Sequence, residues 1–224
     1  MNRTKIEWTD YSWNPITGCL HGCWYCYAKK MFMRFHRSFE PTFHPERLKE
    51  PYEIKKPSKI FVCSVADLFA SWTPREWTGQ VLDSMLWCPV DHTFQMLTKN
   101  PERINLGVIK PKYPDNWWFG ATISTQEECW RVDALRQVDG KRFVSFEPLL
   151  GDIEFDDTLT LEGIDWVIIG KLTGSRKVKL KFSWLASIMD ETARVGIPLF
   201  MKNNLGQAFP KLRLLQEFPR EVSR

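Results

Sequence analysis

Cys19, Cys23 and Cys26 lie within eight residues of one another, with the spacing C-x3-C-x2-C. Thiolates are soft ligands, and three on one short loop can converge on an iron–sulfur cluster, zinc or Cu(I). Gly18 and Gly22 each precede a cysteine and permit the tight turns that point the sulfurs inward. An electron-carrying 4Fe-4S cluster normally has four Cys ligands, so three predict a cluster with one iron open to a substrate or cofactor.

Two other interpretations of these cysteines stay open on the residues alone. His21 could complete a Cys3His zinc site, and the protein would then be a zinc-stabilised nucleic-acid-binding module. Against zinc, His21 lies between two of the cysteines, and no second Cys/His pair follows at zinc-finger spacing. The other alternative is a non-catalytic iron–sulfur protein that senses redox state or carries electrons.

The composition is that of an ordinary folded protein. The 224 residues are 43% hydrophobic and 26% charged, which excludes a disordered chain. Three further cysteines are scattered and form no second cluster motif, so we expect them in the core; they are Cys63, Cys88 and Cys129. The sequence has no apolar signal segment and no transmembrane run, and we expect a cytoplasmic protein without membrane contact.

The elements that must position the cysteine loop alternate between strand and helix. Apolar runs predict strands within 6–16 and at 59–65, 92–97, 117–123, 142–146, 165–169 and 197–201. Helices are predicted at about 28–35, at 74–87 with Thr73 as the N-cap, within 124–138, and at 182–195. The strands are apolar almost throughout, which is typical of parallel strands covered on both faces. The fold class is therefore α/β with a parallel sheet, either a partial or complete barrel or an open doubly wound sheet.

The cysteine motif, with Tyr25 directly before its third Cys, resembles the hallmark of the radical SAM superfamily. The stretch 13–28 is similar to a branch of short radical-SAM-like proteins associated with phages and prokaryotes, as are 64–69, 93–101 and 144–151. The resemblance implies a partial (β/α)6 TIM-like barrel over residues 1–205, followed by a tail at 206–224. The active site would lie at the carboxyl ends of the strands.

The resemblance also implies the chemistry. Cys19, Cys23 and Cys26 would bind three irons of an oxygen-sensitive 4Fe-4S cluster, and the fourth iron would bind S-adenosyl-L-methionine (SAM). Reductive cleavage of SAM would give a 5′-deoxyadenosyl radical that abstracts hydrogen from a substrate. The cluster would need an external electron donor, either flavodoxin-like or ferredoxin-like, and a partner protein could complete the site.

Strand ends supply the remaining site residues that the resemblance implies. Tyr25 would lie near the adenine. Expected cofactor contacts at strand ends are Ser64, Asp67, Thr122, Ser124 and Gly170. Glu147 and Lys99 are the expected catalytic residues, because each is a charge placed directly after an apolar strand. Helix or turn capping is the competing interpretation for Asp67 and Ser124.

The substrate is predicted only by class. A net charge of +4 and the five basic residues between Lys171 and Lys181 favour a nucleic acid or nucleotide, although such a run is also typical of a solvated loop. The branch usually has Gly-Gly-Glu-Ser-Gly after the sixth strand, whereas this chain has Gly-Lys-Leu-Thr-Gly at 170–174. Trp117 and Trp118 could stack on bases if exposed, or pack in the core.

Overall fold

The computed structural model describes residues 1–105, 112–174 and 178–219. The strands within these ranges are β1 (Asn2–Arg3), β2 (Tyr11–Trp13), β3 (Ile16–Thr17), β4 (Thr42–Phe43), β5 (Lys59–Val62), β6 (Thr93–Thr98), β7 (Trp117–Thr122), β8 (Lys141–Phe146), β9 (Trp166–Ile169) and β10 (Leu199–Met201). The α-helices are α1 (Tyr27–Arg34), α2 (Arg75–Leu86), α3 (Arg131–Arg136), α4 (Phe182–Val195) and α5 (Asn203–Ala208).

The main sheet follows the order of the chain. Strands β2, β5, β6, β7, β8, β9 and β10 pair in that order, each parallel to the next, and β1 adds antiparallel to β2. A doubly wound sheet reverses its strand order, so this sequential order excludes that alternative. The parallel character is as predicted, but the described residues contain seven parallel strands where a (β/α)6 unit has six.

The predicted helices are present with changed ends. Helix α4 has the predicted bounds, whereas α2 begins one residue later than expected. Thr73 does not cap α2, because its hydroxyl donates to the carbonyl oxygen of Asp67 instead. In the described residues, the connection from β8 to β9 contains no α-helix, and that from β6 to β7 has only a 3-10 turn at Pro101–Arg103.

Aromatic side chains fill one face of the sheet and show that it curls. The ring of Trp8 lies 4.8 Å from that of Phe61 on β5 and 6.2 Å from that of Trp166 on β9. In a flat sheet, four strand spacings of about 4.8 Å would separate β5 from β9 by roughly 19 Å. One side chain can touch both strands only because the sheet wraps around this inner face, as in a barrel.

The sheet nevertheless stays open between its edges. No hydrogen-bonded pairing between β2 and β10 occurs among the described strands, so closure of the barrel is not observed. Residues of the tail instead run along β10, where the amide of Met201 donates to Leu215 and that of Glu217 donates to Leu199. Phe218 then stacks on Trp166, with ring centroids 5.3 Å apart.

The core lies on both faces of the sheet. The outer face packs against the helices, and the inner face holds the aromatic cluster of Trp8, Phe61, Trp118, Phe143, Trp166, Ile168 and Phe200. Trp117 and Trp118 are both buried, so they pack in the core and are not exposed for stacking on bases. None of the helices in the described ranges has the length and hydropathy needed to cross a membrane.

Candidate functional site

The cysteine loop leaves the carboxyl end of β2 and is tied to its surroundings by backbone hydrogen bonds. The amide of Gly18 donates to Val65 at 3.2 Å, and the amide of Cys19 donates to Phe39 at 3.1 Å. Gly18 has φ +85°, and a Cβ there would overlap the backbone carbonyl of Glu40. Only glycine fits such a position, so the start of the loop is fixed by its backbone.

The three thiols of the loop are free and partly exposed. Burial is the main cause that raises the pKa of Cys19 to about 11, and the nearby Cys23 and Cys26 raise it further. The sulfur of Cys26 also caps α1 by accepting a hydrogen bond from the amide of Lys29. A positively charged centre bound by all three sulfurs would offset the desolvation cost of the Cys19 thiolate. It would also offset the repulsion between this thiolate and those of Cys23 and Cys26.

The donor set was compared with the groups that it could bind. Among the described residues, no three His, Cys, Asp or Glu side chains are grouped closely enough to hold a metal ion. The described donors therefore form neither a preformed zinc site nor a preformed cluster site. Three thiolates on one loop fit, by their chemistry, a larger thiolate-bound cluster, whose ligands surround several iron atoms.

His21, inside the cysteine motif, is held by the carboxylate of Asp67. Its Nε2 lies 2.7 Å from Oδ2 of Asp67, and its ring packs edge-on against Trp72. The Asp67 carboxylate also accepts hydrogen bonds from the amides of Phe69 and Lys99 and from the hydroxyl of Thr98. This buried carboxylate therefore joins the cysteine loop to the ends of β5 and β6.

Tyr25, Lys99 and Ser124 meet although they are far apart in sequence. The Lys99 ammonium donates to the Tyr25 hydroxyl at 3.0 Å, and that hydroxyl lies 3.3 Å from the hydroxyl of Ser124. These three residues belong to the cysteine loop, the end of β6 and the end of β7.

Glu128, at the end of the 3-10 turn before α3, contacts the group formed by Tyr25, Lys99 and Ser124. Its carboxylate accepts from the amide of Ser124 and pairs with Arg131, which in turn donates to the carbonyl of Thr122. Lys99 lies 3.8 Å from the same carboxylate. Ser124 therefore does not cap the following helical segment: its hydroxyl faces Tyr25, and its own amide donates to the Glu128 side chain.

Glu147 and Lys202 form a second pair, between the ends of β8 and β10. Desolvation raises the pKa of Glu147 above its ordinary value, and Lys202 opposes this shift. A Cβ at Gly170 would lie 2.9 Å from the Glu147 carboxyl carbon, so the small residue at the end of β9 makes room for the carboxylate. Ser64 lies across the site, where its hydroxyl donates to Asn14 and its carbonyl accepts from Tyr27.

Strand alternation explains why these side chains share one face. Phe143 lies in the inner aromatic cluster, and Ser145 and Glu147 follow it at steps of two residues. The Ser145 hydroxyl is buried and has no hydrogen-bond partner in the described part of the chain. Buried hydroxyls are normally satisfied, so this atom fits a site that binds a polar ligand or water.

The chain matches a protein family over most of its length. A family model described as "Protein of unknown function (DUF5131)" matches residues 3–213, which is nearly the whole chain. The chain belongs to the DUF5131 family. No curated protein sequence matches it.

The fold of this DUF5131 protein is similar to that of spore photoproduct lyase. The lyase complexed with dinucleoside spore photoproduct has a TM-score of 0.54 and 12% identity, covering 95% of this chain and 64% of the lyase chain. A variant of the lyase with bound AdoMet and the same dinucleoside gives a TM-score of 0.54 and 13% identity, with the same coverage. The DUF5131 chain thus spans less than two thirds of the lyase, and at this identity the likeness concerns the fold.

The structure brings most of the expected residues together. Tyr25 of the cysteine loop, Lys99 and Ser124 are in contact, and Glu147 lies beside Gly170 in a second group. Asp67 differs from expectation, since protein donors already occupy both of its carboxylate oxygens. Of the basic run from Lys171 to Lys181, Arg176 and Lys177 lie outside the described residues.

Sequence reasoning missed the partners of these residues. His21 was considered only as a zinc ligand, and the roles of Asn14, Glu128 and Ser145 had no signal beyond their positions near strand ends. Lys202, which directly follows β10, could have been found by the same rule that selected Glu147 and Lys99.

Proposed function

We propose that this protein is a radical SAM enzyme. The observation that carries the proposal is the position of the C-x3-C-x2-C loop. It lies at the carboxyl edge of a curled parallel sheet, where Tyr25 contacts polar groups from the ends of β6 and β7. Active sites of β/α barrels lie at this edge. The fold likeness to a lyase solved with bound AdoMet supports the same conclusion.

Each group of residues has a role in this proposal. Cys19, Cys23 and Cys26 would hold the cluster, and the bound cluster and SAM would supply radical chemistry. The His21–Asp67 pair orients the loop relative to β5 and β6. Tyr25, Lys99 and Ser124 present hydroxyl and ammonium groups that can hold the cofactor or substrate in place, with Thr122 just beneath them.

Glu147 and Lys202 complete the opposite side of the site. They offer an anion and a cation that match the amino and carboxylate groups of an amino-acid moiety or polar groups of a substrate. The absence of a side chain at Gly170 leaves space for the Glu147 carboxylate. The Ser145 hydroxyl adds a polar contact deeper on the inner face.

The proposed substrate is a nucleic acid or nucleotide. The net charge of +4 favours a phosphate-bearing partner. The similar lyase was solved with a dinucleoside. This chain leaves about a third of the lyase unmatched, so we include a partner protein that completes the site. The proposed chemistry also requires a flavodoxin-like or ferredoxin-like electron donor.

The test is anaerobic reconstitution with iron and sulfide, followed by reduction and addition of SAM. We expect the reconstituted protein to absorb near 400 nm, as iron–sulfur clusters do. We also expect 5′-deoxyadenosine, detected by mass spectrometry. A Cys23→Ala variant should give neither, while Cys88→Ala, outside the motif, should give both. A cluster without SAM cleavage, even with the electron donor present, would favour the redox protein. Stoichiometric zinc without a cluster would favour the zinc module.

A further inference from the structure

Helix α1 carries apolar side chains that the rest of the described chain leaves exposed. Tyr27, Met31 and Phe35 are 53%, 41% and 62% exposed and recur every four residues, so they form one stripe along the helix. We call this set the α1 stripe. Only Ala28 of α1 is buried, whereas a surface helix normally buries its apolar face.

The chain segment that carries the α1 stripe has charges of one sign. Residues 19–39 contain no Asp or Glu and four Lys or Arg residues, namely Lys29, Lys30, Arg34 and Arg37. All four cations are exposed. A second copy of this chain would bring like charges together, so the stripe does not favour self-association.

The α1 stripe begins at the candidate site. The Tyr27 hydroxyl donates to the carbonyl of Ser64, a residue at the end of β5. Lys30 reaches the loop after β9, where its Nζ would lie 3.6 Å from a Cβ placed at Gly174. From Tyr27 to Phe35 the stripe extends about 12 Å along the helix, at 1.5 Å per residue.

We propose that the α1 stripe and its cations bind a single-stranded nucleic acid that leads into the site. This inference rests on the proposed function and deepens it by naming a strand, rather than a free nucleotide, as the substrate. Exposed aromatic rings stack on unpaired bases, and neighbouring cations follow the phosphates. An acidic protein would satisfy the cations but would not need rings at this spacing.

The experiment measures binding by the full-length apoprotein, without cluster or SAM. Fluorescence anisotropy would follow a labelled single-stranded oligodeoxynucleotide, with an abasic strand of equal length and a polyglutamate peptide as comparison probes. We expect Phe35→Ala to weaken oligonucleotide binding by about tenfold. Arg34→Ala should weaken it and lower the salt dependence by about 0.7 in the slope of log K against log salt.

Matched control variants lie at the opposite edge of the sheet. Trp87→Ala removes an aromatic ring that is 74% exposed after α2, and Lys56→Ala removes an exposed cation before β5. Both should bind the oligonucleotide like the unaltered protein. Equal affinity for the abasic strand, tighter binding of polyglutamate, or no effect of Phe35→Ala would each overturn the inference. If the unaltered apoprotein does not bind the oligonucleotide while the reconstituted protein cleaves SAM, the inference is overturned and the radical SAM proposal stays intact.

Discussion

At the scale of single residues, the Glu147–Lys202 pair combines opposite electrostatic effects. Desolvation raises the pKa of Glu147, the Lys202 ammonium lowers it, and nearby Glu7 raises it again. The net shift is upward from the ordinary value of 4.5, so burial outweighs the ion pair. Ionisation of a buried carboxylate is unfavourable unless its partner compensates fully, and here it does not.

This shift predicts how stability depends on pH. The folded protein holds the Glu147 proton more tightly than the unfolded chain. The stabilisation is therefore complete below pH 4.5 and is lost as pH rises through the raised folded pKa. Relative to a Glu147→Gln/Lys202→Met double variant, where neither side chain titrates, the free energy of unfolding should fall with pH by at most about 1.4 kcal/mol per unit.

Urea unfolding of the two apoproteins between pH 4 and pH 8 measures this difference. A single Lys202→Met variant is the companion measurement, because it leaves the carboxylate without its cation. We expect it to be destabilised by roughly 3–5 kcal/mol at neutral pH. A pH-independent difference between the unaltered protein and the double variant would contradict the raised pKa.

At the scale of elements, the cysteine loop is fixed by its glycines in two different ways. Gly18 and Gly22 both have positive φ, +85° and +67°. At Gly18 an added Cβ would overlap the backbone of Glu40, while at Gly22 nothing lies within 4 Å. The same substitution therefore tests crowding at one position and backbone strain alone at the other.

We predict that Gly22→Ala costs about 1–2 kcal/mol of unfolding free energy, the usual cost of a left-handed conformation for an L-residue. Gly18→Ala should cost more, since the backbone of Glu40 must move as well. Urea denaturation of the apoproteins compares the two variants. If both variants lose the same unfolding free energy, the backbone at 39–40 moves without an energetic penalty and does not fix the start of the loop.

The sequence was informative about elements because their signals are local. Apolar runs such as 117–123 and the pattern of 182–195 predict a strand and a helix close to those observed. The contacts of Asp67 could not be predicted, since His21 and Lys99 reach it from 46 and 32 residues away. Such pairings depend on sheet order and curl, which residue patterns do not encode.

The closest agreement within the site came from one rule. Glu147 and Lys99 were selected as charges directly after apolar strands, and both lie at the carboxyl edge in contact with other polar groups. Asp67 also follows a strand, five residues after the end of β5, but protein donors engage its carboxylate. Position after a strand therefore predicts where a side chain lies, and not whether it remains available to a ligand.

At the scale of the whole molecule, β2 and β10 do not pair in the described part of the chain, and the C-terminal tail covers β10 instead. The tail runs along β10, and Phe218 stacks on Trp166 and lies 5.3 Å from the ring of Phe200. The predicted boundary between residues 205 and 206 falls inside α5, and the residues beyond it contribute to the inner aromatic cluster.

We predict that Phe218→Ala destabilises the protein by about 2–4 kcal/mol, because it removes a large side chain from a packed aromatic cluster. Phe35→Ala, at an exposed position, should change stability by less than about 0.5 kcal/mol. Thermal or urea unfolding followed by tryptophan fluorescence distinguishes them. A Phe218→Ala variant as stable as Phe35→Ala would mean that the tail is not part of the folded core.

The inner aromatic cluster also sets the direction from which the site can be reached. Trp118 and Trp166 lie near the amino ends of β7 and β9, so that end of the curled sheet is filled. A reacting group must enter from the carboxyl edge. Under the proposed function, a base stacked inside a duplex cannot do this without leaving its helix. The enzyme would then act fastest on bases that are mismatched, damaged or already unpaired, since these cost least to extrude.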